Sequence, residues 1–249
     1  MITIKTPEEI KIMAEAGKKL ASVMEELKGK VKQGITTKYL DRLAEGLILK
    51  SKAKCSFKGY GGFPACLCTS INDEIVHGIP SERVLKEGDI LSLDLGLIYK
   101  GFHSDMAVTV PVGKITSEAQ RLIMVTKKSL KRGIKKARAG NTFGDLGNTI
   151  QRYVESQGFN VVRELCGHGI GRELHEDPQI LNYGKRKTGP KIKEGMVFCI
   201  EPMVTVGDWH IKQAEDGQCF KTEDGSLSCH FEHTIAIIDS EPVVLTKPK

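Results

Sequence analysis

The 249-residue sequence predicts an α+β fold in which helices cover one face of an antiparallel sheet, an arrangement built twice along the chain. Two observations carry this expectation. Amphipathic helix patterns precede apolar strand patterns in the first half, and the same order returns in the second. The string Glu87-Gly88-Asp89-Ile90-Leu91-Ser92-Leu93-Asp94 also maps, residue for residue, onto Glu194-Gly195-Met196-Val197-Phe198-Cys199-Ile200-Glu201. Each copy ends on a carboxylate that closes an apolar run. Further echoes join Gly34-Ile35-Thr36 to Gly140-Asn141-Thr142 and His103-Ser104-Asp105 to His230-Phe231-Glu232. One domain spanning 1–249 is expected, with pseudo-repeat halves of about 1–113 and 114–249.

The elements follow in order. Thr6-Pro7-Glu8-Glu9 is a helix start, with a Thr cap, Pro at the first helical position and acids in the first turn. The helix continues through Ile10, Met13, Leu20, Met24 and Leu27. Thr36 or Thr37 starts another, through Leu40, Leu43, Ala44 and Leu47. Residues 55–71, rich in Gly, Pro and Cys, read as a loop or pocket wall. Ile90–Leu97 and Phe102–Pro111 read as strands joined by the turn Tyr99-Lys100-Gly101, hence an antiparallel pair. In the second half, helices are expected over 117–138 and 142–157, then Asn160–Leu165, strands near 196–206 and 230–238, and Pro242–Leu245. Residues 208–229 form the longer connection.

Composition excludes several classes. Apolar residues at 40% and charged residues at 27% describe an ordinary water-soluble protein. No apolar run approaches the ~20 residues that cross a bilayer, so no membrane association is expected. Glu8 and Glu9 stand where a secretory signal would need an apolar core, which points to the cytoplasm. The seven cysteines are irregularly spaced, with no Cys-x-x-Cys pair, so neither structural zinc nor a closed disulfide set is indicated. Cys199 reads as a small buried hydrophobe. The net charge of +6 gathers partly in one helix, at Lys127, Lys128, Lys131, Arg132, Lys135, Lys136 and Arg138. That pattern suits a solvated helix face, or electrostatic docking to nucleic acid such as ribosomal RNA.

Five residues carry the chemistry. Asp94, Asp105, Glu201 and Glu232 stand on the margins of core-like strands, with no Lys or Arg in those runs. Buried carboxylates need a paired cation, and a pair of divalent ions would serve. His168 joins them from Gly167-His168-Gly169-Ile170-Gly171, whose glycine spacing fits neither a Walker loop nor a dinucleotide fingerprint. These glycines read as an open path that presents His168 inward. His77 and His175 occupy comparable turns.

The segments Ser70-Ile71-Asn72-Asp73-Glu74-Ile75-Val76-His77-Gly78-Ile79-Pro80, Cys166-Gly167-His168-Gly169-Ile170-Gly171, Glu201-Pro202-Met203, Ser226-Leu227-Ser228 and Glu232-His233-Thr234 carry a resemblance. Through them the sequence resembles the type I methionine aminopeptidases. It implies the pita-bread fold of two pseudosymmetric halves, and two divalent ions (Mn, Fe or Co, with Zn allowed), with room for one monovalent cation. By the resemblance, Asp94 and Asp105 hold one ion, His168 and Glu201 the other, and Asp105 and Glu232 bridge them. A water shared by ions ~3.5–4 Å apart would be the nucleophile. Glu201 would shuttle the proton, His175 would bind the scissile carbonyl, and His77 the following amide nitrogen. Cys55, Tyr60, Phe63, Cys68, Leu174 and Trp209 match the family's methionine pocket. The implied activity is removal of the initiator methionine from nascent chains with a small second residue, by a monomer.

The chain departs from the family pattern around the pocket. Two extra residues separate Cys55 from Tyr60, Phe63 and Leu174 replace Tyr and Phe, and residues 212–221 look like an insertion after Trp209. Cys229-His230 replaces Ala-Gln, and on a strand His230 would share a face with Glu232. Xaa-Pro aminopeptidases share the ligands but usually carry a large domain ahead of them. Type II methionine enzymes carry a helical insert for which the interval from His175 to Glu201 is too short. A non-catalytic module docking ribosome or RNA through the basic helix is the alternative from another class; such relatives lose metal ligands that this chain keeps.

Overall fold

Threonine hydroxyls start the helices of both halves in the computed structural model, which describes residues 1–247. Thr6 caps α1 (Pro7–Lys28) in a reciprocal box with Glu9, and Thr36 caps α2 (Thr37–Lys50) by accepting from Tyr39 N. Both helices lay their apolar stripes on one sheet. Leu20, Met24 and Leu27 of α1 and Leu40, Ala44 and Ile48 of α2 are buried against Leu91, Leu93, Leu95 and Leu97. The strands of this half are β1 (Lys54–Cys55), β2 (Leu67–Ile71), β3 (Glu74–Val76), β4 (Ile90–Tyr99) and β5 (Phe102–Pro111). β4 pairs antiparallel with β1, β2 and β5, and the β4–β5 ladder runs unbroken from Ile90↔Pro111 to Tyr99↔Phe102.

The second half opens with α3 (Ser117–Lys136) and α4 (Phe143–Ser156), capped by Thr116 and Thr142. Then come β6 (Asn160–Val161), β7 (Gly167–Gly169), β8 (Glu176–Ile180), β9 (Val197–Ile200), β10 (Met203–Thr205), β11 (Ile211–Gln213), β12 (Phe220–Thr222), β13 (Ser228–His230), β14 (His233–Ile238) and β15 (Glu241–Val244). The order β15-β14-β9-β7-β8 makes the second main sheet, and β13-β10-β6 a smaller one. Leu122, Val125 and Leu130 of α3 pack with Leu146 and Ile150 of α4 over Phe198, Ile200 and Ile235.

Several expectations change here. Residues 67–71, read as loop, form a wholly buried strand, because Cys68, Thr69 and Ser70 are small enough to lie between β4 and Gly78. The strand expected over 196–206 breaks at Pro202, which has no N–H for a ladder. The one over 230–238 breaks at Phe231 and Glu232. Glu201 and Glu232 therefore lie in gaps between strands. Residues 208–229 fold in part as the β11–β12 hairpin, which docks on β3. Cys55 and Cys66 form a disulfide, against the sequence reading: β1 and the approach to β2 flank β4, bringing their Cα atoms to 5.3 Å. No helix among the described residues is long and apolar enough to cross a membrane.

Candidate metal centre and substrate pocket

The site lies where the two halves meet. Thr234 Oγ1 accepts from Asp105 N and donates to Asp105 O, at 3.0 and 2.7 Å. Glu232 N donates to Ala107 O at 2.9 Å, and Thr109 Oγ1 bonds both N and O of His230. These cross-links set β5 beside β13 and β14, so Asp105 and Glu232 become neighbours across the pseudo-two-fold. On the β4–β5 ladder, Asp94 faces Ala107 and Gly96 faces Asp105. Asp94 and Asp105 thus share one face as diagonal partners.

His168 enters from β7, held between β8 and β9. The flanking glycines are steric requirements. A Cβ at Gly167 would lie 2.4 Å from Cys199 O, and one at Gly169 would lie 2.1 Å from Asp177 O. The His168 Nδ1 lies 3.0 Å from Gly169 O, a bond that puts the proton on Nδ1 and leaves Nε2 free as a ligand. That Nε2 stands 3.5 Å from Glu201 Oε1.

Asp94, Asp105, His168 and Glu232 are buried, and Glu201 nearly so. Asp94 Oδ1, Asp105 Oδ1 and Glu232 Oε1 are buried with no hydrogen-bond partner. Burial, reinforced by the neighbouring carboxylates, pushes Asp94, Glu201 and Glu232 well above the usual carboxylate range, and burial raises Asp105 to about 7. Burial first, then the nearby His175, lowers His168 to about 3, keeping it neutral. Orphaned carboxylate oxygens around a neutral imidazole fit divalent cations, whose charge would offset the repulsion. Donor atoms of Asp94, Asp105 and Glu232 lie within 4.8 Å of one another, and so do those of His168, Cys199 and Glu232. Glu232 belongs to both groups. Cys199, read from the sequence as packing alone, thus presents its thiol to this cluster.

Above the carboxylates opens a cavity of about 190 Å³. Phe57, Tyr60, Phe63, Cys68, Leu174 and Gln218 wall it, and His77 and His175 face into it. His77 takes a left-handed φ of 59°, a strained choice for a non-glycine residue, while Gly78 passes so close to Thr69 that a Cβ would lie 2.3 Å from Thr69 O. His175 sits at the end of a turn shaped by Glu176, whose Oε1 accepts from Arg172 N and Glu173 N. Tyr60 Oη lies 2.8 Å from His175 Nδ1. With Tyr60 donating, Nε2 carries the His175 proton. Burial lowers both histidines, His77 to about 4.

Tyr60, Phe63, Cys68 and Leu174 line the cavity, as do His77, His175 and all five ligand candidates on its floor, Asp94, Asp105, His168, Glu201 and Glu232. Cys55 and Trp209 do not. Cys55 is committed to the disulfide on β1. Trp209 is turned away, stacked on His210 with ring centroids 3.7 Å apart and covered by the Arg163 guanidinium. Gln218, at the tip of the β11–β12 hairpin, takes the rim instead and donates to Gly61 O at 3.3 Å. No sequence signal marked Gln218, since a polar residue in a hairpin turn is ordinary.

Residues 11–239 match the model of metallopeptidase family M24. The chain belongs to that family. As an M24 member it is 51% identical over 247 residues to a methionine aminopeptidase of Clostridium acetobutylicum, covering 99% of both chains. It is 49% identical to methionine aminopeptidase 1 of Bacillus subtilis, covering 99% of this chain and all of that one. A crystal structure of a methionine aminopeptidase from Thermotoga maritima superposes with a TM-score of 0.98 at 46% identity, over 99% of this chain and 100% of that one. A Xaa-Pro dipeptidase from Bacillus anthracis, at 24% identity and a TM-score of 0.79, shares the fold, and this chain covers 62% of it. The M24 chain described here is thus a metal-dependent hydrolase with the pita-bread architecture.

Proposed function

We propose that this M24 enzyme is a methionine aminopeptidase, which removes the initiator methionine from nascent proteins and peptides whose second residue is small. The observation that carries the reading is the stacking of an apolar cavity directly on a carboxylate–imidazole floor, with two neutral histidines on its walls. Residues 1–249 would act as one catalytic unit, with halves of about 1–113 and 114–249.

Asp94 and Asp105 would hold one divalent ion, His168 and Glu201 the other, with Asp105 and Glu232 shared between them. Mn(II), Fe(II) or Co(II) suit these hard oxygen donors, and Zn(II) is allowed. Bound ions would supply Lewis acidity and an acidified water. The remaining work belongs to the side chains. Phe57, Phe63, Cys68 and Leu174 take a thioether side chain and keep water from it. His175, oriented by Tyr60, donates from Nε2 to the scissile carbonyl oxygen, where charge grows during attack. His77 hydrogen-bonds the amide nitrogen that follows the methionine. Glu201 carries a proton to the leaving amine.

The test is release of free methionine from Met-Ala-Ser and Met-Leu-Ser by chelated protein with single metals restored. Metal-dependent cleavage of the Ala peptide alone is expected. Two bound ions without cleavage of either peptide would defeat the reading.

The setting proposed for this function is a cytoplasmic monomer working on emerging chains, and one surface suits a ribosomal neighbour. Arg132, Lys136, Arg152 and Arg186 line an open groove between α3 and α4, with the Arg132 guanidinium 4.3 Å from the Tyr153 ring. Lys128, over the same Tyr153 ring, and Lys135 extend the basic face, while Lys127 lies on the side of α3 toward His233. Docking to RNA phosphates there would weaken steeply as salt rises. Co-sedimentation with ribosomes that is absent, or unchanged between low and high salt, would remove this partner.

A further inference from the structure

His230 stands beside the centre and has no role in the reading above. Its side chain is 1% exposed, and neither Nδ1 nor Nε2 has a hydrogen-bond partner. Its main chain is pinned on both edges. Thr109 Oγ1 bonds its N and O, and β13 pairs it with Met203. The ring therefore has little freedom to seek a partner elsewhere. The carboxylate it faces is Glu201, with Nε2 3.5 Å from Oε2. The other oxygen of that carboxylate, Oε1, faces His168 Nε2 at the same 3.5 Å. Glu201 is thus set between two imidazoles, while Asn182 Nδ2 holds its main-chain oxygen at 3.0 Å.

A buried ring nitrogen without a partner costs free energy, and a carboxylate that must offer one oxygen to a cation gains from having the other held. We propose that His230 is a positioning residue for Glu201: its Nε2–H donates to Oε2 and keeps Oε1 turned toward His168. A closure of a few tenths of an ångström completes the bond. The proposal rests on Glu201 being a metal ligand, and the test separates the two ideas.

Mn(II) binding to the metal-free full chain is measured by calorimetry for the parent, His230→Leu and His230→Gln. The parent should bind two ions. His230→Leu should weaken one of them about ten- to hundredfold, the usual cost of losing a partner that orients a ligand. His230→Gln keeps an N–H donor and should restore affinity to within about threefold of the parent. Unchanged affinity in His230→Leu overturns the positioning role, as does an equal loss in both variants, which would make the ring itself a ligand. A parent that binds no ion sinks the metal assignment and this inference with it. Should His230→Leu not fold, long-range proton–nitrogen correlation on the metal-free parent decides. The Nε2–H tautomer is expected, and an Nδ1–H tautomer overturns the proposal.

Discussion

The two halves offer their carboxylates differently. In the first, Asp94 and Asp105 sit inside a continuous ten-residue ladder, Asp94 between two strands and Asp105 between β4 and the Thr234 hydroxyl. In the second, the last ladder pair is His233↔Ile200, and Glu201 and Glu232 lie just beyond it, in breaks made by Pro202 and by the Phe231–Glu232 step. A ladder fixes direction by pleat alone. A break frees the side chain from the pleat and leaves its direction to its surroundings, here His168 and His230, each 3.5 Å from a Glu201 oxygen, and the cross-link from Glu232 N to Ala107 O. The first half also owns most of the pocket wall, with Phe57, Tyr60 and Phe63 on the loop closed by Cys55–Cys66 and Cys68 on β2. Pseudosymmetry in sequence thus becomes a division of labour between a rigid half and a supported one.

That contrast can be broken at its centre. Asp105→Asn and Glu232→Gln each remove a ligand that both ions would share, one from each half. Both should lose methionine release by more than the ~10²–10³ that a single oxyanion donor is worth, with metal content by mass spectrometry falling in parallel. If Glu232→Gln kept both ions while Asp105→Asn lost them, the centre would belong to the first half alone.

Next in size is His175→Ala, expected to lower kcat ~10²–10³-fold with metal content unchanged. Tyr60→Phe should fall far less, because it removes only the bond that orients the ring. A large loss of metal in His175→Ala would place that residue with the ligands instead.

The clamp on the first half predicts a stability effect. An 11-residue separation between cysteines is worth about 3 kcal/mol in the chain-entropy account. Cys66→Ser should therefore lower the melting temperature of oxidised protein by ~6–12 °C. The same variant should match the parent in strong reductant. Equal melting in both conditions would mean that the bond contributes nothing.

The smallest effect is a pH dependence of the metal-free protein. His77, His168, His230 and His233 are held near 3–4 by burial, so the unfolded chain binds more protons there and stability rises with pH up to the ordinary histidine value. Asp94, Asp105, Glu201 and Glu232 act oppositely, because their raised values make the folded chain the better proton binder above the ordinary carboxylate range. Between about 4 and 6.5 the two sets offset each other. Above that window only the carboxylates still titrate, so the melting temperature without metal should fall as pH rises past ~6.5. Bound Mn(II) should abolish the fall, and a metal-free melt flat to pH 8.5 would contradict the burial of these charges.

Much of this was legible in the chain. Helix starts at Thr6 and Thr36 show themselves through local sequence, and the β4–β5 hairpin through an apolar run, a tight turn and another apolar run. Asp94, Asp105, His168, Glu201 and Glu232 stood out because carboxylates and a glycine-flanked imidazole are costly in apolar surroundings. The rest depended on contacts between distant segments. Leu67–Ile71 hid as a loop because its small polar residues are buried by distant segments, β4 and Gly78 among them. Cys55 and Cys66 meet because β1 and the approach to β2 both flank β4, which spacing does not reveal. Trp209 looked like pocket and points away, while Gln218 looked like turn and reaches the rim, since a hairpin's docking on β3 decides which of its residues face inward. Local pattern and the cost of burying charge determined which residues would carry the chemistry. Only the tertiary structure, through the threonine cross-links between halves, decided which of them meet and what holds each in place.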